Sequence, residues 1–435
     1  MGVADLTPAV ATARSAVDAT DATNVTPDDR VKRARYLETL ATALTHRCEG
    51  TGTAADLDEG IRLGHDVLAL ASAGGPEHRK SLQTLARRFH HRFELRGAPA
   101  DLDQAVELAR RAVDGCPEGP EQAEHLTVLS GALAARSVAT GSPTDVDAAV
   151  EHQRTALRLA GDERTRTAFR SELGARLRLR FERTGAVTDL DDAVVACRAA
   201  VDATPGDHAD RGDRLHQLAL ALRLRFEQAG ALADVNEAVK LAETAVQATP
   251  SGHKSRPGRL AGLGAALLAR HARTRAAKDL DAAIGHLRAA LDTTPSDDPH
   301  RGRVLHDLAR LLRARAAHAP DPADRAAAVA AYEAAAGSTS AAPSARVSAA
   351  VEAAALAGRS EPGRAAAILE GAVRLLPDVA PRHLRPSDQH YALRGTAGLA
   401  ADAAALALTN QAIRATRNRY PALPSLWAAY LHAGA

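Results

Sequence analysis

Over most of the chain, apolar residues line one face of successive helices, and the same arrangement returns every 44 or 45 residues. A leucine marks each return, at Leu40, Leu85, Leu129, Leu173, Leu218, Leu263 and Leu308. The residue after it is always small: Ala41, Ala86, Ser130, Gly174, Ala219, Gly264 and Ala309. The segment "LHQLALALRLRF" predicts one helix, with Leu215, Leu218 and Leu222 on a single stripe. A glycine closes this first helix in "LRG", "RTG" and "QAG", as a left-handed C-terminal cap requires. A second helix, such as "AVELARRAV", follows and stops near Pro117, Pro205, Pro250 and Pro295. Neither helix can bury its stripe alone, whereas stacked hairpins can. The expected fold is all-α, a solenoid of helical hairpins with a 44–45-residue period.

Two charged columns keep the same register. Arginine stands at 47, 92, 136, 180, 225, 270 and 315 (Arg47, Arg92, Arg136, Arg180, Arg225, Arg270, Arg315). Nine residues on stands aspartate: Asp56, Asp101, Asp145, Asp189, Asp234, Asp279 and, in a weaker context, Asp324. A ligand is not periodic, so a residue demanded by every unit serves the fold. The arginine is expected to brace the inter-helix turn, through carbonyls at the end of its own helix or through the aspartate. The aspartate is expected to be the N-cap of the second helix, with Gln104, Asp192 or Glu237 three residues on completing a capping box. The paired aspartates of "DLD" are not a catalytic pair, because paired catalytic carboxylates must face one another across a pocket.

The order of Leu, a small residue, an apolar residue four later, then Ala, Ala and Pro resembles the tetratricopeptide repeat (TPR). In the fourth unit these are Leu173, Gly174, Leu177, Ala193, Ala200 and Pro205. The TPR tryptophan is missing, and the usual period of about 34 residues is stretched. The resemblance runs roughly from Val31 to Ser340 and implies a right-handed superhelix. The form "RFExTGxxxDLDxAV", the segment "AVRLLPDVAPRHLRPSDQHYAL" and "GLAADAAALAL" together resemble the TPR region of actinobacterial CHAT-domain proteins, in which a caspase-like protease usually follows. The sequence departs from that pattern near Thr409, and no protease domain with its His and Cys follows. The expected organisation is a half-repeat or cap helix over 1–27, seven TPR-like repeats over 28–343, degenerate repeats over 344–408 and a divergent tail over 409–435.

In TPR folds the first helices line the concave face. Counting from the small residue, that face takes Gln83, Arg87 and His90; Thr127, Gly131 and Ala134; Ser171, Ala175 and Arg178; His216, Leu220 and Arg223; Ala261, Ala265 and Leu268; and His306, Arg310 and Arg313. Arg87, His90, Arg178, Arg223, His216, Arg310 and Arg313 are therefore the candidate partner-binding residues. A groove bearing Arg and His suits an extended acidic peptide, because a guanidinium clamps a carboxylate through two hydrogen bonds.

Composition narrows the function without naming it. Aromatic residues make up 3% of the 435 residues against 46% apolar, a helix-rich alphabet that argues against sandwiches and barrels. The net charge of +2 gives no field that recruits nucleic acid or a membrane surface. Nearly all basic residues are Arg, a skew shared by GC-rich coding sequences, so their number alone carries no function. Cys48, Cys116 and Cys197 form no CxxC pair, and His90 and His91 are adjacent rather than one helical turn apart, so no metal site is expected. No P-loop, GxSxG or HExxH motif occurs, and no cofactor is expected. The reading is a non-catalytic, cytoplasmic interaction scaffold or sensor for a protein or peptide partner, with self-association through its apolar tail. The alternatives are the regulatory part of a CHAT-type protease whose catalytic part is separate or missing, the chain then being a fragment, and a small-ligand sensor.

Overall fold

The computed structural model describes residues 6–20 and 26–379, apart from residues 52, 252, 254, 297, 299, 300, 320, 340, 342 and 359. Every regular element among the described residues is an α-helix. Two compact units divide between His208 and Ala209, inside the stretch read as seven repeats. The first unit holds α1 (Thr7–Asp18), α2 (Pro27–Thr51), α3 (Ala54–Leu70), α4 (Pro76–Arg96), α5 (Pro99–Val113), α6 (Pro120–Thr140), α7 (Pro143–Leu159), α8 (Glu163–Thr184) and α9 (Thr188–Asp202). The second holds α10 (Arg211–Ala229), α11 (Leu232–Gln247), α12 (Arg256–Thr274), α13 (Ala277–Thr293), α14 (Arg301–His318), α15 (Pro322–Gly337), α16 (Pro343–Ala357), α17 (Pro362–Arg374) and α18 (Leu376–Val379). The helix expected over "HYALRGTAGLAADAAALAL" and the divergent tail lie outside the described residues.

The helix ends follow their local chemistry. Pro76, Pro99, Pro120, Pro143 and Pro322 open helices, where the missing N–H costs nothing and φ is already helical. Gly97, Gly141, Gly185 and Gly230 close α4, α6, α8 and α10 at φ of 67–79°, each returning its N–H to a carbonyl four residues back. Arg275 takes the same left-handed position after α12 without being glycine.

Each unit is a stack of TPR-like hairpins, α2/α3 through α8/α9 in one and α10/α11 through α16/α17 in the other, with α1 packed on α2 as an unpaired half. Consecutive helices pack together, and the first helices of neighbouring hairpins also touch: α4 on α6, α6 on α8, α10 on α12 and α12 on α14. The second helices make no contact of similar extent among the described residues, so the first helices hold the tighter, inner side of each stack.

The hairpin closes where two small columns meet. Gly174 on α8 lies so close to α9 that a Cβ there would overlap Cys197 Sγ and come 3.2 Å from the Ala193 carbonyl oxygen. One hairpin earlier, Ser130 fills the same position by donating its hydroxyl to the Ala149 carbonyl at 2.8 Å. The facing alanines Ala105, Ala149, Ala193, Ala238, Ala283 and Ala328 are all fully buried. This is the physical content of the Leu–small signature: the small residue lets two helices approach at backbone distance. A Gly174→Leu change is expected to lower unfolding stability by about 1–3 kcal/mol, read as a lower denaturant midpoint, whereas Gly174→Ala should cost less.

Candidate functional site

The arginine–aspartate columns form one contact repeated seven times. Arg47, Arg92, Arg136, Arg180, Arg225, Arg270 and Arg315 each grip the aspartate nine residues on, with Nε on one oxygen and Nη2 on the other, at 2.5–3.0 Å. The aspartates are buried and the guanidiniums half-buried. The residue between the two acids of "DLD", Leu57, Leu102, Val146, Leu190, Val235 or Leu280, points into the core.

The aspartates are not N-caps. The caps before α3, α5 and α7 are Thr53, Ala98 and Ser142, which makes Asp56, Asp101 and Asp145 the third residue of their helices. Asp234, Asp279 and Asp324 follow suit, and Asp189 is the second residue of α9. Both carboxylate oxygens accept from the arginine, and a residue already inside the first turn is not placed to cap its own helix. The N-cap is often an alanine with no side-chain acceptor, as before α5, α11 and α13. A first-turn carboxylate still gains from the helix dipole.

The second acid of "DLD" has a different task. Asp58 accepts from Arg92 Nη1 at 3.0 Å, Asp103 from Arg136 at 3.1 Å and Asp281 from Arg315 at 3.0 Å, while Asp147 stands 3.8 Å from Arg180 Nη1. Each of these arginines therefore ties its own hairpin shut and reaches back to the hairpin before it. Asn236 takes the acid's place in the fifth repeat. Hydrogen bonds donated to their own aspartates raise the basicity of Arg92, Arg136, Arg180, Arg270 and Arg315 against the cost of burial. Burial works against the Asp58 carboxylate, yet Arg96 and Arg92 hold its pKa below the ordinary value. The hydrogen bond to Arg315 likewise holds the Asp324 carboxylate below its ordinary value, against burial.

A second bracing column, fourteen residues before the first, escaped the sequence reading. Arg33 donates to the Thr20 carbonyl at 2.6 Å, Gln122 to Cys116 at 3.1 Å, Arg166 to Ala160 at 3.1 Å, Arg256 to Val246 at 3.0 Å, Arg301 to Leu291 at 2.8 Å and Arg346 to Ala336 at 2.9 Å. These donors satisfy carbonyls at the ends of the preceding second helices. Its signal was the register itself, blurred by His78 and Gln122 in the column.

The predicted groove residues divide into those on open surface and those used in packing. Arg87, Arg310 and Arg313 are exposed, and His90, Arg178, His216 and Arg223 are half-buried. Gln83, Ala134 and Ala261 are buried, which removes them from the open face. His216 packs against Gly262 of the next first helix, where a Cβ would collide with its ring. Arg178 and Arg223 each pair with a glutamate one turn on, Glu182 at 2.7 Å and Glu227 at 2.5 Å. Arg313 pairs with Glu352 of α16, Arg310 lies 3.7 Å from Asp307, and His90 lies 3.9 Å from Glu94. Burial disfavours protonation of His90, against the pull of Glu94.

In the second unit, three successive first helices surround a cavity of about 360 Å³. Arg223, Phe226 and Glu227 come from α10, Leu268, Ala269 and Arg273 from α12, and Arg310 from α14. Ala265 lines it too, so Arg223, Ala265, Leu268 and Arg310, assigned to one face from sequence, do meet there. Phe226 and Arg273 were not foreseen. Burial pushes Asp307 up, although Arg303, Arg310, His306 and Arg223 oppose it.

No family model matches the chain, and no curated protein matches it. Solved structures are similar to it. TPR-like repeats of a putative kinesin light chain from Podosopora anserina share 23% identity over 49% of this chain and 96% of that one, at a TM-score of 0.35. The C-terminal part of a TPR repeat-containing protein from Cytophaga hutchinsonii shares 15% over 72% and 98%, at 0.36. Human IFIT1, as a dimer with m7Gppp-AAAA, shares 14% over 90% and 86%, at 0.42. The fold is all-α, an array of TPR-like hairpins, and no described helix is long and apolar enough to cross a membrane.

The two acids of "DLD" should differ in cost. Asp101→Asn, which strips a half-buried guanidinium of its buried partner, is expected to lower stability by about 2–3 kcal/mol. Asp58→Asn, at a more exposed carboxylate, should cost about 1 kcal/mol or less. Double-mutant cycles with Arg92 check the order. The Asp324 carboxylate has a folded pKa below its unfolded value, so its contribution is complete above about pH 4 and is lost as pH falls through the folded value. The stability gap between wild type and Asp324→Asn should therefore be widest near neutrality and close on acidification, as thermal melts across pH would read it.

Proposed function

We propose that this chain is a non-catalytic interaction scaffold, and that the second unit holds a carboxylate-bearing segment of a protein partner between α10, α12 and α14. One observation carries the reading: three arginines and one glutamate surround an apolar floor of Phe226, Leu268, Ala269 and Ala272. Arg223 holds Glu227 and Arg310 lies 3.7 Å from Asp307, so the three arginines keep one positive charge in excess, that of Arg273. An acidic residue beside an aliphatic one would meet both surfaces, the carboxylate on the guanidiniums and the side chain on the floor. Arg87, His90 and Arg178 of the first unit, with His216 and Arg313 of the second, are the further contacts in this proposal.

Absence of chemistry of its own fits the thiols. Burial pushes the Cys197 thiol up to about 12 and raises Cys116 as well, the reverse of an activated nucleophile. By the sequence resemblance, the partner we propose is a CHAT-type protease or another protein of its signalling system, met in the cytoplasm. Self-association through the apolar C-terminal segment belongs to the same proposal.

Fluorescence anisotropy against paired peptides tests the groove. Peptides carrying Glu next to Leu should bind full-length protein more tightly than their Gln counterparts, and more weakly as salt rises. The Arg223→Ala/Arg310→Ala variant, with unchanged helicity, should lose about tenfold or more in affinity. Equal binding of the Glu and Gln peptides, or full affinity in the variant, would sink the reading.

A further inference from the structure

Outside the groove, one polar cluster, with two members buried and one exposed, has no counterpart in the other hairpins among the described residues. Cys116 follows α5, Glu121 lies in the first turn of α6, and His125 stands one turn further along the same helix. One ligand atom from each lies within 4.8 Å of the other two. The position of Cys116 is Ala71, Ala160, Thr204, Thr249 or Thr294 in the other repeats, and that of His125 is Tyr36, Ser81, Phe169, Arg214, Arg259 or Val304. The hairpin therefore folds without this set, and the set needs its own explanation.

His125 supplies the second observation. It is 2% exposed, and neither ring nitrogen makes a hydrogen bond. Its Nε2 faces Glu121 Oε1 at 3.5 Å, too far for a good hydrogen bond. A buried imidazole with both nitrogens idle costs stability unless another group satisfies one of them. Burial lowers the proton affinity of His125, with Glu121 opposing, so the neutral ring with a free lone pair is favoured. Buried Arg79 pairs with the carboxylate, its Nε 3.1 Å from Glu121 Oε1, while its Nη1 donates to the Gly74 carbonyl at 2.7 Å.

We propose that Cys116, Glu121 and His125 bind a thiophilic divalent cation of the zinc class, with water as the fourth ligand. Sulfur, imidazole nitrogen and carboxylate oxygen together match zinc, and the thiolate selects against magnesium and calcium. On binding, the Cys116 thiol gives its proton to solvent and the sulfur–metal bond forms. Metal, thiolate and carboxylate then sum to zero charge, which leaves Arg79 as the one positive charge beside the site. Zinc–ligand bonds of about 2.0–2.3 Å require the donors to draw together, and exposed Glu121 has the freedom to do so. Its exposure also leaves a route for the ion. Arg79 remains as the outer partner that orients the ligating carboxylate. The bound ion would pin the end of α5 to the start of α6 and so stiffen the junction between the second and third hairpins.

The test uses full-length protein stripped with chelator, then titrated with Co2+ by absorbance and Zn2+ by calorimetry. One equivalent should bind with a thiolate-to-cobalt charge-transfer band, and Zn2+ should raise the melting temperature. Cys116→Ser should abolish the band and the thermal shift, and His125→Gln should weaken binding by about tenfold or more, both with wild-type helicity by circular dichroism. Cys48→Ser should bind as wild type does. Absence of the band in folded wild type, or its persistence in Cys116→Ser, would overturn the assignment.

Discussion

The bidentate grip of one arginine on one aspartate is the interaction on which the seven hairpins from α2/α3 to α14/α15 depend. It joins the last turns of a first helix to the first turn of the second, across a connection that a Gly cap turns sharply. Held at two points, the guanidinium has one nitrogen left, and in four hairpins that nitrogen faces an aspartate of the hairpin before. The same side chain thus sets the angle inside a repeat and the spacing between repeats. An apolar pair could bury equal area, but it would not fix direction as two parallel hydrogen bonds do. Burial of the aspartate makes the geometry strict, because a displaced partner would leave a charge stranded in the core.

Around this clamp the packing is made from small residues. Gly174 and its equivalents let two helices meet backbone to backbone, and the facing alanines complete the contact. Leu, Val and Ala then fill the space between hairpins, with Phe89, Phe169, Phe181 and Phe226 among the few aromatic side chains in the cores. A core of this kind places little demand on any one side chain. That leaves single positions free to vary, on the inner helices for the groove of the second unit and, for the Cys116 cluster of the first, on α6 and the connection before it.

The two sites use charge in opposite ways. In the groove, arginines stand over an apolar floor, part of their charge answered by Glu227 and Asp307 and the rest open to a partner. At Cys116 two of the three donors are buried, and the one cation present, Arg79, is paired with the carboxylate and a carbonyl. The first arrangement suits a ligand that arrives with its own acid, the second an ion that completes a set of donors.

The sequence by itself determined the helical hairpin, its Gly caps, the Leu–small column and the register that sets each arginine nine residues before an aspartate, because all of these are local and recur. That the arginine takes the aspartate rather than carbonyls of its own helix came from the structure. The sequence misplaced that aspartate as a cap, since an acid at the start of a helix reads the same whether its oxygens take backbone N–H groups or a guanidinium. It passed over the column of Arg33, Arg166, Arg256 and Arg301, whose acceptors are carbonyls and leave no side-chain signal. Only the tertiary structure decided which residues of the first helices face open space. Gln83, Ala134 and Ala261 are lost to packing between hairpins, while Phe226 and Arg273 join Arg223 and Arg310 across three helices. Those choices depend on how closely neighbouring hairpins approach, and that distance is set by contacts between residues some 45 positions apart rather than by any local pattern.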